Sequence, residues 1–259
     1  MKTKATSTPW LILAKPNPVA SRRLFCVPYA GGSPLVFSDW PLDLPPDVEV
    51  GLIQLPGRGM RLSQPPFTKV EPLVESLVQA LHPFLDKPFA FYGHSMGGLI
   101  CFELSRALRL KFNLEPEVLF VSGRQAPPLR DRTAATYDLP ERQFINELGH
   151  LNGTPPEVLE QPELMKLLVP LLRADFELCQ TYVYQPGPPL ACALSVFGGV
   201  DDSEVNQEEL EGWREFTTGP FSLRMLPGDH FFIRTARTQL LRLISQDLKT
   251  YQKVPAGRR

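Results

Sequence analysis

Six short apolar runs recur along the chain, and helical patterns separate most of them. Several of these runs are almost continuously apolar, which is typical of strands covered on both faces. Alternation of this kind predicts an α/β protein in which helices flank a mostly parallel central sheet. The predicted strands are LFCVPY (24–29), EVGLIQL (49–55), FAFYGH (89–94), VLFVSG (118–123), ALSVFGG (193–199) and FSLRML (221–226).

The helical patterns carry apolar residues three and four positions apart, as amphipathic helices do. Three of them lie between or after the predicted strands, at residues 70–85, 99–110 and 231–248. Two more, at 141–151 and 162–184, fall in a long stretch without a convincing strand.

That stretch, residues 124–190, is longer than an ordinary connection between two strands. We interpret it as a helical lid inserted over the end of the sheet where catalytic loops collect. The alternative is a plain second layer of helices. Four apolar side chains of the insertion are candidates to line a substrate chamber, although most are expected simply to pack the helices. These are Leu164, Leu167, Leu168 and Phe176.

The composition fits an ordinary globular chain. With 259 residues, 43% of them hydrophobic, and a net charge of −1, residues 1–259 can form a single domain, and no general affinity for nucleic acid is indicated. The first apolar run, residues 10–14, is shorter than a signal-peptide core, and no run is long enough to span a membrane. Four widely spaced cysteines suggest buried thiols in a reducing compartment, not a metal site. We therefore expect a cytoplasmic protein.

The sequence Gly93-His94-Ser95-Met96-Gly97 matches G-x-S-x-G between a predicted strand and a predicted helix. In the α/β-hydrolase fold this motif turns a strand sharply into a helix and exposes a strained nucleophile at the corner. Glycine occupies the flanking positions because larger side chains would collide there. The alternative is a glycine-rich turn in which the serine only caps the helix.

A catalytic serine needs a base that a carboxylate orients, and in this fold the chain order is Ser, acid, His. His230 follows the sixth predicted strand, whereas the other three histidines do not follow a late strand. Asp201 and Asp202 both follow the fifth strand, and we prefer Asp202. Asp229 is adjacent to His230 and is expected to shape the loop.

An oxyanion hole requires two aligned donors. The first should be the backbone N–H of Met96, directly after the nucleophile. The second should come from the glycine-rich loop PYAGGS (28–33), where we prefer Ala30 and keep Gly31 as the alternative.

Six segments occur in order along the chain: PYAGGS, LPGRGMRL, FAFYGHSMGG, LNGTPPEVL, LLRADFELCQTY and LPGDHFF. In this order they resemble type II, or external editing, thioesterases of polyketide and nonribosomal peptide synthesis. The medium-chain thioesterase of animal fatty acid synthesis is similar, and the resemblance spans residues 24–248.

This resemblance implies an α/β-hydrolase fold with a helical lid and hydrolysis of thioesters on the phosphopantetheine arm of acyl or peptidyl carrier proteins. Such enzymes clear stalled or misprimed acyl groups in antibiotic biosynthesis. Carried over by position, the triad is Ser95, Asp202 and His230, and the oxyanion donors are Met96 and Ala30. No cofactor or metal is implied, and we expect a monomer that binds neither nucleic acid nor membrane.

Four further points stay open. An esterase or lipase acting on oxygen esters would use the same triad, and a non-catalytic binding module could share the fold. The Gly-Thr-Pro segment at 153–155 either borders the substrate channel or only connects helices. Arg124, Arg130 and Arg132 either form a basic rim for an acidic carrier protein or are merely solvated.

Overall fold

The computed structural model describes residues 7–127, 135–151, 153 and 156–251. Within them, one sheet has eight strands in the order β1-β2-β4-β3-β5-β6-β7-β8. The six strands from β3 to β8 are parallel, and β1 and β2 join antiparallel at the edge beside β4. The strands are β1 (Ser7–Thr8), β2 (Leu11–Leu13), β3 (Arg22–Val27), β4 (Val48–Ile53), β5 (Phe89–His94), β6 (Val118–Ser122), β7 (Ala193–Gly199) and β8 (Phe221–Leu226).

Helices cover both faces of this sheet, so the predicted fold class is confirmed. Phe25 and Cys26 are neighbours on β3, yet they belong to apolar clusters on opposite faces because side chains alternate along a strand. The cluster around Phe25 is closed by α2 and α3, and the cluster around Cys26 by α1 and α9. The helices are α1 (Trp40–Asp43), α2 (Val70–Leu81), α3 (Met96–Phe112), α4 (Glu141–His150), α5 (Pro156–Leu159), α6 (Pro162–Gln180), α7 (Gln207–Glu211), α8 (Phe232–Thr235) and α9 (Arg237–Thr250).

The structure differs from the sequence prediction at both ends of the chain. Strands β1 and β2 were not predicted, since runs of two and three residues are too short for a periodic pattern. The last helical pattern, predicted as continuous over 231–248, is divided at Ala236, whose backbone leaves the helical region.

Helices α4, α5 and α6 lie between β6 and β7, within the segment that we predicted to be a lid. They carry an apolar cluster separate from the two that flank the sheet. The buried members of this cluster are Phe144, Leu148, Met165, Val169 and Leu172. The insertion therefore has a small core of its own.

The functional loops all follow parallel strands at the same edge of the sheet. They come after β3, β5, β7 and β8. The carboxyl ends of parallel strands are where open α/β sheets collect their ligand-binding residues. Among the described residues, no helix is both long and apolar enough to span a bilayer.

Candidate active site

Ser95 lies at the corner between β5 and α3, with φ of 53° and ψ of −117°. A non-glycine residue rarely adopts this backbone conformation, so the corner is strained. Its N–H donates to the Ser122 carbonyl at the end of β6, at 2.7 Å. The corner is thus the strand–serine–helix turn that the G-x-S-x-G motif predicts.

The glycines flanking the corner have no room for a side chain. A Cβ on Gly93 would lie 2.0 Å from the Gly97 carbonyl oxygen. A Cβ on Gly97 would lie 2.2 Å from the carbonyl oxygen of Val27 on β3. The second contact is with the neighbouring strand β3, so the close approach involves β3, β5 and α3 and not only the turn.

His230 and Asp202 are joined directly. His230 Nδ1 lies 2.8 Å from Asp202 Oδ2, and the two side chains are 7% and 0% exposed. Asp202 Oδ1 accepts from the backbone N–H groups of Glu204 (2.8 Å) and Val205 (3.1 Å), which fixes the carboxylate. Because the carboxylate accepts, Nδ1 carries the imidazole proton and Nε2 is left to accept one.

The two neighbouring aspartates have other positions. Asp201 is exposed, and its N–H donates to the Gly228 carbonyl. Asp229 Oδ1 accepts from the Phe231 N–H at 2.9 Å, so this side chain shapes the loop as expected. Of the three candidate acids, Asp202 is the one that bonds to the imidazole.

The surroundings of His230 raise its pKa above the usual value for histidine. Burial by itself lowers the pKa, and Arg124 acts in the same direction. The hydrogen bond to Asp202, with the charges of Glu204 and Asp202, outweighs both. Glu204 Oε1 lies 4.0 Å from Nδ1 and so contributes mainly through its charge.

A second histidine, His94, is completely buried against the first. The two ring centroids are 5.2 Å apart, and His94 Nδ1 lies 2.9 Å from Ser122 Oγ. Burial lowers the pKa of His94 well below its usual value, and the neighbouring His230 lowers it further. These surroundings therefore disfavour the protonated form of His94, whose ring packs against that of His230.

Two backbone N–H groups, those of Met96 and Ala30, are candidates to receive an anion. Met96 begins α3, where the first N–H groups have no partner within the helix and the helix dipole favours negative charge. Ala30, in the loop after β3, and Ser95 both line the same cavity. The Gly31 N–H instead donates to Asp175 Oδ2 at 2.7 Å. The geometry therefore favours Ala30 over Gly31 as the second donor.

A cavity of about 440 Å³ opens beside these groups. Ser95, Asp202 and His230 all contribute to its wall, although no hydrogen bond joins the Ser95 hydroxyl to His230 among the described residues. Such a bond commonly tightens only when substrate binds. His150 and Glu147, at the end of α4, also line the cavity. The sequence analysis did not place either residue there.

The insertion contributes to the cavity differently from the sequence prediction. Of the four apolar candidates, only Phe176 belongs to the cavity wall. Leu164 and Leu167 are 39% and 63% exposed, and Leu168 packs on the separate cluster of the insertion. Along α6, some apolar side chains face solvent or the insertion's own core, and others face the cavity. All of them recur at the same helical spacing, so the periodicity of the sequence did not distinguish them.

The two remaining sequence features are only partly described. Gly153 lies against the ring of Phe231, next to His230, because a Cβ on Gly153 would be 2.9 Å from Phe231 Cζ. Thr154 and Pro155 lie outside the described residues. Arg124 lines the cavity, while Arg130 and Arg132 lie outside the described residues, so the basic rim stays a prediction. No group of three or more His, Cys, Asp or Glu side chains in the described ranges could hold a metal ion.

The parallel strand order and the serine corner place this chain in the α/β-hydrolase class. A thioesterase domain model matches residues 22–248. The gramicidin S biosynthesis protein GrsT of Aneurinibacillus migulanus is 44% identical over 240 residues, which cover 93% of this chain and 94% of that one. A protein named linear gramicidin dehydrogenase LgrE, from Brevibacillus parabrevis, is 41% identical over 96% of both chains. The chain therefore belongs to the thioesterase family, and it is a thioester hydrolase.

A solved structure supports the same assignment. The type II thioesterase BorB from the borrelidin biosynthetic cluster superposes with a TM-score of 0.86 and 32% identity, covering 95% of this chain and all of BorB. The resemblance to type II thioesterases inferred from the sequence motifs is thereby confirmed.

Proposed function

We propose that this protein releases acyl groups from the phosphopantetheine arm of carrier proteins, and so clears stalled or aberrant intermediates from a polyketide or nonribosomal peptide assembly line. The relatives named for gramicidin S biosynthesis and for the borrelidin cluster support this substrate class. The observation that carries the chemistry is the buried Asp202–His230 pair sharing one cavity with Ser95.

In the first half-reaction, Ser95 Oγ attacks the thioester carbonyl while His230 Nε2 accepts the hydroxyl proton. Negative charge develops on the carbonyl oxygen, where the Met96 and Ala30 N–H groups stabilise it. Losing one such donor typically raises the barrier by about 3 kcal/mol. The C–S bond then breaks, and the pantetheine sulfur leaves with the proton from His230.

In the second half-reaction, water attacks the acyl-serine ester. His230 accepts a proton from the water and returns it to Ser95 Oγ as the ester bond breaks. The products are the free acid and the regenerated serine. Asp202 keeps the imidazole in the tautomer and orientation that both halves require.

In this proposal, residues 1–259 act as one monomeric hydrolase domain, with residues 124–190 as its helical lid. The separate apolar cluster of α4–α6 supports a unit that can shift relative to the sheet. Leu172 of α6 packs directly on Gly31 in the loop after β3, since a Cβ on Gly31 would lie 2.5 Å from Leu172 Cδ2. This contact supports a lid that lies over the loop.

Covalent labelling tests the nucleophile. A fluorophosphonate should label the wild-type protein once, Ser95→Ala should abolish labelling, and His230→Asn should slow it strongly. Ser76→Ala, at a half-buried serine on α2, is the matched control and should label like wild type. An unlabelled wild type would instead indicate a binding module that uses the fold without catalysis.

A substrate comparison tests the thioester preference. An acyl-pantetheine and the oxygen ester of the same acyl group should be hydrolysed by the same serine, with the thioester favoured in kcat/KM. A clear preference for the oxygen ester would favour the carboxylesterase alternative. Slower hydrolysis of acyl-pantetheine than of the same acyl group on a carrier protein would support the proposed partner.

The dehydrogenase named among the relatives has less support in this chain. A dinucleotide-binding turn follows its strand with G-x-G-x-x-G. Here the loop after β3 reads PYAGGS (28–33), and the Gly31 N–H donates to the Asp175 carboxylate. A loop built in this way favours the hydrolase.

A further inference from the structure

A buried ion pair joins two segments that the triad does not involve. Arg58 lies in the loop after β4, and Asp175 lies on α6. Arg58 Nη2 is 2.7 Å from Asp175 Oδ1, and Nη1 is 2.9 Å from Oδ2. Their side chains are only 4% and 3% exposed. The sequence segments LPGRGMRL and LLRADFELCQTY therefore meet at these two residues.

Both partners also bond to the backbone of the loop after β3. Asp175 Oδ2 accepts the Gly31 N–H at 2.7 Å, and Arg58 Nη1 donates to the Gly32 carbonyl at 3.2 Å. Leu172, one turn before Asp175 on α6, packs directly on Gly31, whose φ of +72° suits glycine. Two charged side chains and one leucine thus hold the loop that contains Ala30.

We propose that Arg58 and Asp175 are positioning residues for the oxyanion hole, so that docking of α6 sets the geometry of the Ala30 N–H. This inference rests on the proposed function, because it assigns that N–H to the transition-state oxyanion. Neither side chain touches the reacting atoms; each acts through the backbone of Gly31 and Gly32.

The physical argument begins with the peptide plane between Ala30 and Gly31. In a trans peptide the N–H and the preceding C=O point in opposite directions. The Asp175 carboxylate accepts the N–H, and it would repel the carbonyl oxygen if the plane were reversed. Fixing this plane fixes the ψ torsion of Ala30, and with it the backbone at the proposed donor. A misplacement of about 1 Å at a catalytic group can lower a rate about 100-fold.

The ion pair itself is not needed to explain the stability of the fold. Replacing a buried ion pair by apolar side chains of similar size is often neutral or stabilising, whereas removing one partner leaves a costly unpaired charge. A purely structural pair would therefore tolerate a double apolar replacement without loss of activity. A positioning pair would not, because the acceptor for the Gly31 N–H would be gone.

The test uses two double variants of the full-length protein that both abolish the ion pair. Arg58→Met with Asp175→Leu removes the acceptor, and we expect kcat on an acyl-pantetheine to fall about 10- to 100-fold, with KM within about twofold. Arg58→Gln with Asp175→Asn keeps a neutral acceptor for the Gly31 N–H and should retain most of the wild-type kcat. Tm is measured for both.

A second readout separates positioning from general damage. A trifluoromethyl ketone analogue of the acyl-pantetheine forms a tetrahedral oxyanion on the serine. Its Ki should rise in the Met/Leu variant by the same factor by which kcat/KM falls. The control is a half-buried bidentate pair, Arg224 with Asp247, whose side chains are 27% and 4% exposed and which bonds to Ser195 and Ser222. Arg224→Met with Asp247→Leu should change Tm without changing kcat or Ki.

The outcomes are distinguishable. A Met/Leu variant with wild-type kcat and Ki would overturn the positioning proposal, and so would equal losses in the Met/Leu and Gln/Asn variants. If the Met/Leu variant does not fold, Asp175→Glu serves instead, since it keeps the charge but displaces the acceptor oxygen; wild-type kcat and Ki there would overturn the proposal. A wild-type enzyme that neither labels nor hydrolyses would overturn the proposed function itself.

Discussion

At the residue scale, the carboxylates around His230 determine the pH at which it can accept a proton. Because its pKa is raised, the acidic limb of kcat/KM should have an apparent pKa above about 6.5, the usual histidine value. Activity is lost as the pH falls through this pKa, since a protonated imidazole cannot act as a base.

Replacing Glu204 tests this account of His230. Glu204→Gln removes one of the charges that raise the pKa, so the acidic limb should move to lower pH. The measurement is kcat/KM against pH on an acyl-pantetheine. Glu211→Gln, at an exposed carboxylate paired with Arg214, is the control and should leave the limb in place. A limb that stays fixed or moves upward in Glu204→Gln would contradict the assignment.

His94 should make stability depend on pH in the opposite sense from His230. The pKa of His94 in the folded protein lies well below its value in the unfolded chain. Below about pH 6.5, His94 therefore binds a proton in the unfolded chain but not in the native state. The free energy of unfolding should therefore decrease as the pH falls from 7 to 5. His94→Gln should flatten this slope, measured by denaturant unfolding, with no change in slope above pH 8. An equally steep slope in the variant would show that other groups cause it.

The three residues of the proposed triad can be found at this scale because each has a local signal. Ser95 lies within a five-residue motif, and Asp202 and His230 each follow an apolar strand. The choice between Asp201 and Asp202, and between Ala30 and Gly31, depends on where a side chain or an N–H points. In the structure, those directions are set by His230 and Asp175, which are distant in the sequence.

At the scale of elements, the corner at Ser95 depends on three pieces of backbone that nearly touch. Gly97→Ala would place a methyl group 2.2 Å from the Val27 carbonyl oxygen, and backbone on both sides prevents relief. We expect a loss of at least about 2 kcal/mol in the free energy of unfolding, or no soluble protein at all.

The neighbouring glycine is the matched control for this prediction. A Cβ on Gly98 has its nearest neighbour, Val121 Cγ1, at 3.1 Å, and that side-chain atom can shift. Gly98→Ala should stay within about 1 kcal/mol of wild type, since alanine also favours the helix. Thermal and denaturant unfolding measure both variants, and a Gly97→Ala protein as stable as Gly98→Ala would contradict the packing argument.

Elements were predictable from the sequence in proportion to their length and burial. Five of the six parallel strands are buried along their whole length and are mostly apolar, whereas the edge strand β8 is half-buried and was recognised from its alternation of apolar and polar residues. Strand β2 has only three residues and forms by pairing with β4. A strand this short shows no periodic pattern in the sequence. The break at Ala236 is likewise invisible, because the apolar spacing continues across it from α8 to α9.

At the scale of the whole molecule, α6 contacts both the loop after β3 and the wall of the cavity. One side of α6 supplies Asp175 and Leu172 to the loop after β3. Further along, Phe176, Cys179 and Gln180 enter the cavity wall. We therefore expect movement of α6 to change the cavity and the Ala30 backbone together, which would couple acyl binding to the proposed oxyanion hole.

From this arrangement we expect Phe176 to limit the acyl chain length. Its ring lines the cavity and packs edge-on against Phe144, with centroids 5.6 Å apart. Phe176→Ala should lengthen the apolar space available to an acyl chain. Since each buried methylene contributes about 1–3 kcal/mol to discrimination, the ratio of kcat/KM for long over short acyl-pantetheines should rise about tenfold or more.

Leu167→Ala, on the same helix but 63% exposed and outside the cavity wall, is the control. An unchanged ratio in Phe176→Ala, or an equal change in both variants, would mean that acyl length is read elsewhere.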